Sequence, residues 1–183
     1  MDIIFTLGLY LLKFGPKLPM KKVIYIHGLG SSPVPAKLDI IRLYAEVVAL
    51  HIDYEQDSDS YKKILQLALD EQVEGVIGSS LGGLIGHHLS ENLGLPALLF
   101  NPALYREVPK AYGMQLEQEI SPAKMVVQGA KDEVVDPVQV RAILDSKYRP
   151  DCLTHIIINQ DMGHQIDLVN FKRYVTWFFN MMP

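Results

Sequence analysis

Cysteine is almost absent from this chain. Cys152 is the only one among 183 residues, which excludes an internal disulfide framework and fits a reducing, cytoplasmic setting. An inert side chain is the plainer reading of such a lone thiol than a reactive one. Charge is sparse too: charged residues make up 21% and the formal net charge is −4. No run of lysine and arginine is longer than two, so nothing favours nucleic acid or an anionic membrane as partner. A long apolar run is also missing. Residues 3–12 of "MDIIFTLGLYLLKFGPKLP" are almost all apolar, but the stretch is too short to span a bilayer. It does not read as a secretory signal either, because Asp2 leads where a basic residue belongs and no small-x-small cleavage site follows. Internal repeats, low-complexity tracts and domain linkers are lacking. What remains is a chain of 49% apolar residues, long enough for one domain with one sizeable core.

Residues 1–19 stand apart from the rest. Met20 opens "MKKVIYIHGLG", a natural beginning just ahead of a strand. Three readings of the preceding segment stay open: a dispensable extension, an apolar helix packing on this domain or a partner, or membrane targeting. The expected division is an N-terminal apolar extension, 1–19, and a single domain, 20–183.

From residue 22 strands and helices alternate. "KVIYIHG", "VVALHID", "VEGVIGSS", "PALLFNP", "MVVQG" and "LTHIIINQ" are short β-branched or apolar runs bounded by turn residues, as buried strands are. Between them, "PVPAKLDIIRLYA" carries Leu38, Ile41, Leu43 and Ala45 in a partial helical stripe. "SDSYKKILQLALDEQ" opens with capping residues and places Ile64, Leu65, Ala68 and Leu69 on one face. "LGGLIGHHLSENLG", "PVQVRAILDSKY" and "NFKRYVTWFFNMM" are the remaining helices. Such alternation predicts an α/β fold with a mostly parallel sheet of about six strands, joined by right-handed crossovers and covered by helices on both faces. In such sheets the working site lies at the carboxyl ends of the strands. The longest connection without a clear element is 103–124, too short for a large lid domain.

The segment "GVIGSSLGGL", residues 75–84, holds two adjacent serines in a frame of glycines. Only Ser80 fits G-x-S-x-G, with Gly78 and Gly82 two residues to either side; Ser79 would have Ile77 and Leu81 there. A strand turning sharply into a helix can hold its corner residue strained with the hydroxyl exposed. Side chains two residues away would collide at that corner, so glycine is needed. The following helix points its first N–H groups at the same spot, favouring negative charge that develops there.

A serine hydroxyl needs a base. His164, in "NQDMGHQ" past the last strand, is the best placed of six histidines. His27 ends the first strand, His51 lies in the second and His155 begins the sixth. His88 shares a helix face with Leu84 and Ile85 and reads as a packed residue. A His87/His88 metal site is not expected, because adjacent helical residues point apart. The base in turn needs a carboxylate. Asp132 lies in the turn after "MVVQG"; Asp136 precedes Pro137 and reads as a helix N-cap. Asp161 has no strand-end turn of its own. Oxyanion donors are expected at the N–H of Leu81, next to the serine, and the N–H of Leu29 in "HGLGSSP". Gly28 and Gly30 let that loop's backbone approach a substrate closely, and His27 braces it.

With "HGLGSSP", "GSSLGG", "GAKDEVV" and "MGHQ" in sequence, the chain resembles the α/β-hydrolase superfamily over roughly residues 21–180. It is most similar to small, nearly lidless bacterial esterases that open with His-Gly-x-x-Ser-Ser-Pro. The resemblance implies Ser80 as nucleophile, Asp132 as acid, His164 as base and N–H donors from Leu29 and Leu81. It implies hydrolysis of a small carboxylic ester or thioester without a cofactor or metal. Two other classes remain. A nucleotide-binding protein is weakened because Pro33 replaces the third glycine of G-x-G-x-x-G and no G-x-x-x-x-G-K-[ST] occurs. A non-catalytic binding module on the same fold would usually have lost one of the three catalytic residue types.

Overall fold

The computed structural model describes residues 21–105, 122–147 and 154–181. The N-terminal extension, Met20, Cys152 and most of the 103–124 connection therefore lie outside the described residues. Six strands form one sheet: β1 (Lys22–Ile26), β2 (Glu46–Ala49), β3 (Gly75–Ser79), β4 (Ala97–Phe100), β5 (Lys124–Gly129) and β6 (Thr154–Asn159). The described helices are α1 (Pro35–Arg42), α2 (Ser60–Asp70), α3 (Leu81–Leu93), α4 (Pro137–Lys147) and α5 (Leu168–Met181).

Every strand pair is parallel, and the order is β2-β1-β3-β4-β5-β6. The period-2 alternation of side chains divides the core into two layers. Ile24, Ile26, Val76, Leu99 and Val126 face α2, α3 and α4, joining Ile64, Leu84, Ile85 and Val140. Val23, Tyr25, Ile77, Leu98, Phe100 and Val127 face the other way, toward Ile41, Phe171, Val175 and Phe178 of α1 and α5. Both faces are covered, which is why these strands read as continuous apolar runs.

Two helices depart from expectation. α1 ends at Arg42, so Leu43 is its C-cap and is 65% exposed. The turn into β2 stops the helix there, and Ala45 is buried beyond it rather than on its stripe. On α2 the buried residues are Ser60, Tyr61, Ile64 and Ala68, while Leu69 faces solvent. His51 falls just after β2 rather than within it.

Chain direction reverses its spread across the sheet at β1 and β3: from β1 the chain crosses to β2 at one edge, and from β3 onward it builds toward the other. A crevice opens outside the carboxyl ends of the strands at such a switch point. The register sets those ends level, with Ile26 opposite Gly78, Ser79 opposite Phe100, and Gly129 opposite Asn159.

Candidate active site

At the switch point, Ser80 is the N-cap of α3 and takes φ 57, ψ −120. Few residues with a side chain adopt a positive φ, and Ser80 is one of three among the described residues. Ser79 is the last residue of β3 and belongs to the ladder. The corner works only with glycine around it. A Cβ on Gly78 would lie 2.3 Å from the carbonyl oxygen of Gly82, and one on Gly82 would lie 2.3 Å from those of Ile26 and His27. α3 thus starts directly against the backbone leaving β1.

That backbone is the loop carrying Gly28, Leu29 and Gly30. Gly28 packs on the serine, since a Cβ there would stand 3.1 Å from Ser80 Cβ. Gly30 has φ 63 and open space around it, and Leu29 is partly exposed. Leu81 is the first residue of α3, so its N–H has no carbonyl a turn earlier to bond.

His27 is buried and both ring nitrogens are engaged. Nε2 accepts from the Ile52 N–H at 3.0 Å, so Nδ1 carries the proton and donates to the Gly28 carbonyl at 2.8 Å. The Tyr54 hydroxyl donates to the His27 carbonyl at 2.9 Å, and the His51 ring stacks on the His27 ring. Burial holds the His27 imidazole below its ordinary value near 6.5, keeping it neutral. It ties the end of β1, the segment after β2 and the glycine loop together, with no nitrogen left over for proton transfer.

Asp132 follows Gly129 in the turn after β5. Its side chain is inaccessible to solvent, and Oδ1 accepts the N–H groups of Val134 and Val135 at 2.9 and 2.8 Å. His164, on the loop after β6, brings Nδ1 to 3.0 and 2.9 Å from the two Asp132 carboxylate oxygens. Its side chain is 23% exposed. A carboxylate on Nδ1 leaves Nε2 free to accept a proton. Among the described residues no hydrogen bond joins the Ser80 hydroxyl to His164. Asp136 stands apart: it accepts the Val138 N–H at 2.8 Å at the head of α4, and that bond holds its carboxyl below the usual range. Asp161 is exposed and pairs with Lys131.

Two residues at the site were not anticipated. Tyr54 bonds the carbonyl of His27 from the segment after β2. Asn101, next to Pro102 in "NPALY", is buried at the end of β4 with φ 44; its only sequence signal was an Asn-Pro turn.

His87 and His88 are not separated as adjacent helical positions suggest. Their ring centroids are 5.2 Å apart, and donor atoms of His87, His88 and Glu91 lie within 4.8 Å of one another. The buried Lys124 ammonium is 3.6 Å from Glu91, and His87 Nε2 is 3.2 Å from the same oxygen. Glu91 Oε1 thus already faces a buried cation and an imidazole, and the set fits a buried polar network better than a metal centre. An apolar groove between β6 and α5, lined by Met125, Ile156, Trp177 and Met181, lies toward the amino ends of the strands, at the opposite end of the sheet from Ser80.

Residues 22–124, more than half of the chain, match the family described as "Uncharacterised protein family (UPF0227)". The fold is that of the α/β-hydrolases. A monoacylglycerol lipase from Paleococcus ferrophilus superposes with a TM-score of 0.68 at 14% identity, covering 90% of this chain and 97% of that one. Alpha/beta hydrolase domain-containing protein 10 from mouse gives 0.69 at 14% identity, over 90% and 91% of the two chains. The carboxylesterase of Bacillus cereus gives 0.58 at 16% identity, over 94% and 98%.

Proposed function

The chain belongs to the family UPF0227, and we propose that it is a serine hydrolase acting on carboxylic esters or thioesters of small acyl groups. The observation that carries this reading is the pairing of His164 Nδ1 with both oxygens of buried Asp132. It occurs at the sheet edge where the strained Ser80 stands. The lipase and carboxylesterase among the structural neighbours are in keeping with ester chemistry.

In this reading Ser80 Oγ attacks the acyl carbonyl while His164 Nε2 takes the hydroxyl proton. The oxygen turns into an oxyanion that accepts from the N–H groups of Leu29 and Leu81, beside the positive end of α3. Collapse breaks the bond to the alcohol or thiol, which leaves with the proton from His164, and the acyl group stays on Ser80. A water then gives its proton to His164 and attacks the ester, and His164 returns that proton to Ser80 Oγ as the acid leaves, restoring free Ser80. Asp132 fixes the imidazole tautomer and stabilises the imidazolium formed in each half. The chemistry needs no cofactor. The single cysteine suits a cytoplasmic setting, and no described helix is long and apolar enough to cross a membrane.

A fluorophosphonate probe and p-nitrophenyl esters of rising chain length test the reading. We expect an adduct on Ser80 and none on Ser79, with the fastest turnover on the short esters. Ser80→Ala should abolish both labelling and turnover, and Ser79→Ala should keep most of each. An adduct on Ser79, or hydrolysis that survives Ser80→Ala, would overturn it.

A further inference from the structure

Asn101 is fully buried beside the candidate site, yet no step of the proposed reaction uses it. Its side-chain amide is engaged in three directions. Oδ1 accepts the N–H of Gly129 at 2.7 Å, while Nδ2 donates to the carbonyls of Gly163 at 2.9 Å and His164 at 2.8 Å. Gly129 opens the turn that carries Asp132, and Gly163 and His164 are the loop that carries the imidazole. One amide therefore bridges the two segments whose side chains meet.

The neighbours of Asn101 reach the third partner. The Ser80 N–H donates to the Phe100 carbonyl at 2.9 Å, and the Ala103 N–H donates to the Ser80 carbonyl at 3.2 Å. Asn101 itself donates its N–H to Val127 of β5 at 2.8 Å. The segment 100–103 thus contacts the backbone at Ser80, at the Asp132 turn and at the His164 loop. Other bonds join the last two: Ala130 N–H to the Asn159 carbonyl at 2.9 Å, and Lys131 N–H to that of Met162 at 3.0 Å. Both lie before Gly163, so they leave the main chain at His164 itself to Asn101.

We propose that Asn101 is a positioning residue that sets His164 in register with Asp132 and Ser80. This rests on the reading of those three residues as the hydrolytic machinery. The chemistry demands a primary amide, since only it offers two N–H donors and a carbonyl acceptor in one plane. An aspartate would keep the acceptor for Gly129 but aim a carboxylate at two carbonyl oxygens. An alanine would leave the buried Gly129 N–H, and the partly buried carbonyls of Gly163 and His164, without this partner. The positive φ at residue 101 suits asparagine as well.

The test uses the full chain with Asn101→Ala, Asn101→Asp and Asn101→Ser, the last keeping one hydroxyl donor. Thermal unfolding identifies which variants fold. In Asn101→Ala and Asn101→Asp we expect kcat to fall about 100-fold while KM stays within about twofold, as for a displaced catalytic group. Asn101→Ser should recover part of that loss. A second readout needs no turnover: the low-field proton NMR signal of the His164 Nδ1–H held against Asp132. It should be present in the parent protein and in Ser80→Ala, and lost or broadened in Asn101→Ala and Asn101→Asp. A folded variant that keeps kcat within about threefold and retains the signal would overturn the positioning role. If the parent protein is neither labelled nor active, the hydrolase reading fails instead, and the NMR comparison still reads the Asn101 contact.

Discussion

At the scale of single residues, two carboxylates four positions apart do different work. Asp132 is fully enclosed, holds two backbone N–H groups and faces His164. Asp136 is open to water and holds the first turn of α4 through Val138 and Gln139. The two are chemically identical; the difference lies in what each oxygen meets. Asp132→Asn should therefore lower kcat by about three to four orders of magnitude, because an amide cannot enforce the reactive tautomer of His164. Asp136→Asn should leave kcat in place and cost at most about 1 kcal/mol of stability, since asparagine also caps helices. Ester turnover and urea unfolding of both variants check this, and a dead Asp136→Asn beside an active Asp132→Asn would reverse the assignment.

At the scale of elements, α3 is the piece most constrained by its contacts. It runs from the strained Ser80 and is buried along most of its length, pressed on the sheet through Gly82, Gly83 and Gly86. A methyl group at residue 82 would meet main-chain carbonyls at 2.3 Å, and backbone cannot yield cheaply. At residue 86 the nearest atom is a side-chain methyl of Val76 at 3.1 Å, which can shift by a few tenths of an ångström. Gly82→Ala should thus cost about 1–3 kcal/mol or more, as overpacking does, and should reduce activity because the helix carries the Leu81 N–H. Gly86→Ala should cost clearly less. Thermal midpoints of the two variants make the comparison, and equal losses would contradict the close approach of α3 to β1.

At the scale of the whole molecule, the sheet order brings distant segments to one edge, and His27 fastens two of them. Held neutral by burial, it binds fewer protons in the folded than in the unfolded chain around pH 6.5 and below. Its contribution to stability is therefore complete above about 6.5 and is lost as the pH falls toward the lowered folded value. We expect the thermal midpoint of the parent protein to drop on acidification through that window. His27→Gln, which cannot gain the charge, should start lower and show a shallower fall. An unchanged slope would mean that the acid sensitivity originates elsewhere.

Much of this protein could be read from local pattern, because hydrophobic period and turn residues act over a few positions. The six strands, the five described helices and the α/β class follow from that, as does the corner at Ser80, where Gly78 lies against Gly82 within five residues even though Gly82 also lies against the backbone of Ile26 and His27. Helix ends were less legible: Leu43 and Leu69 continue an apolar rhythm but face water, because the turn into β2 and the packing of α2 decide exposure there. The pairing of His164 with Asp132 was anticipated from their strand-end turns, but only the tertiary structure decided the partners of Asn101 and Lys124. The bonds of Asn101 reach across 28, 62 and 63 positions of chain, and the approach of Lys124 to Glu91 joins β5 to α3. No local signal encodes such pairs, because strand order and register set them, and those are properties of the assembled sheet.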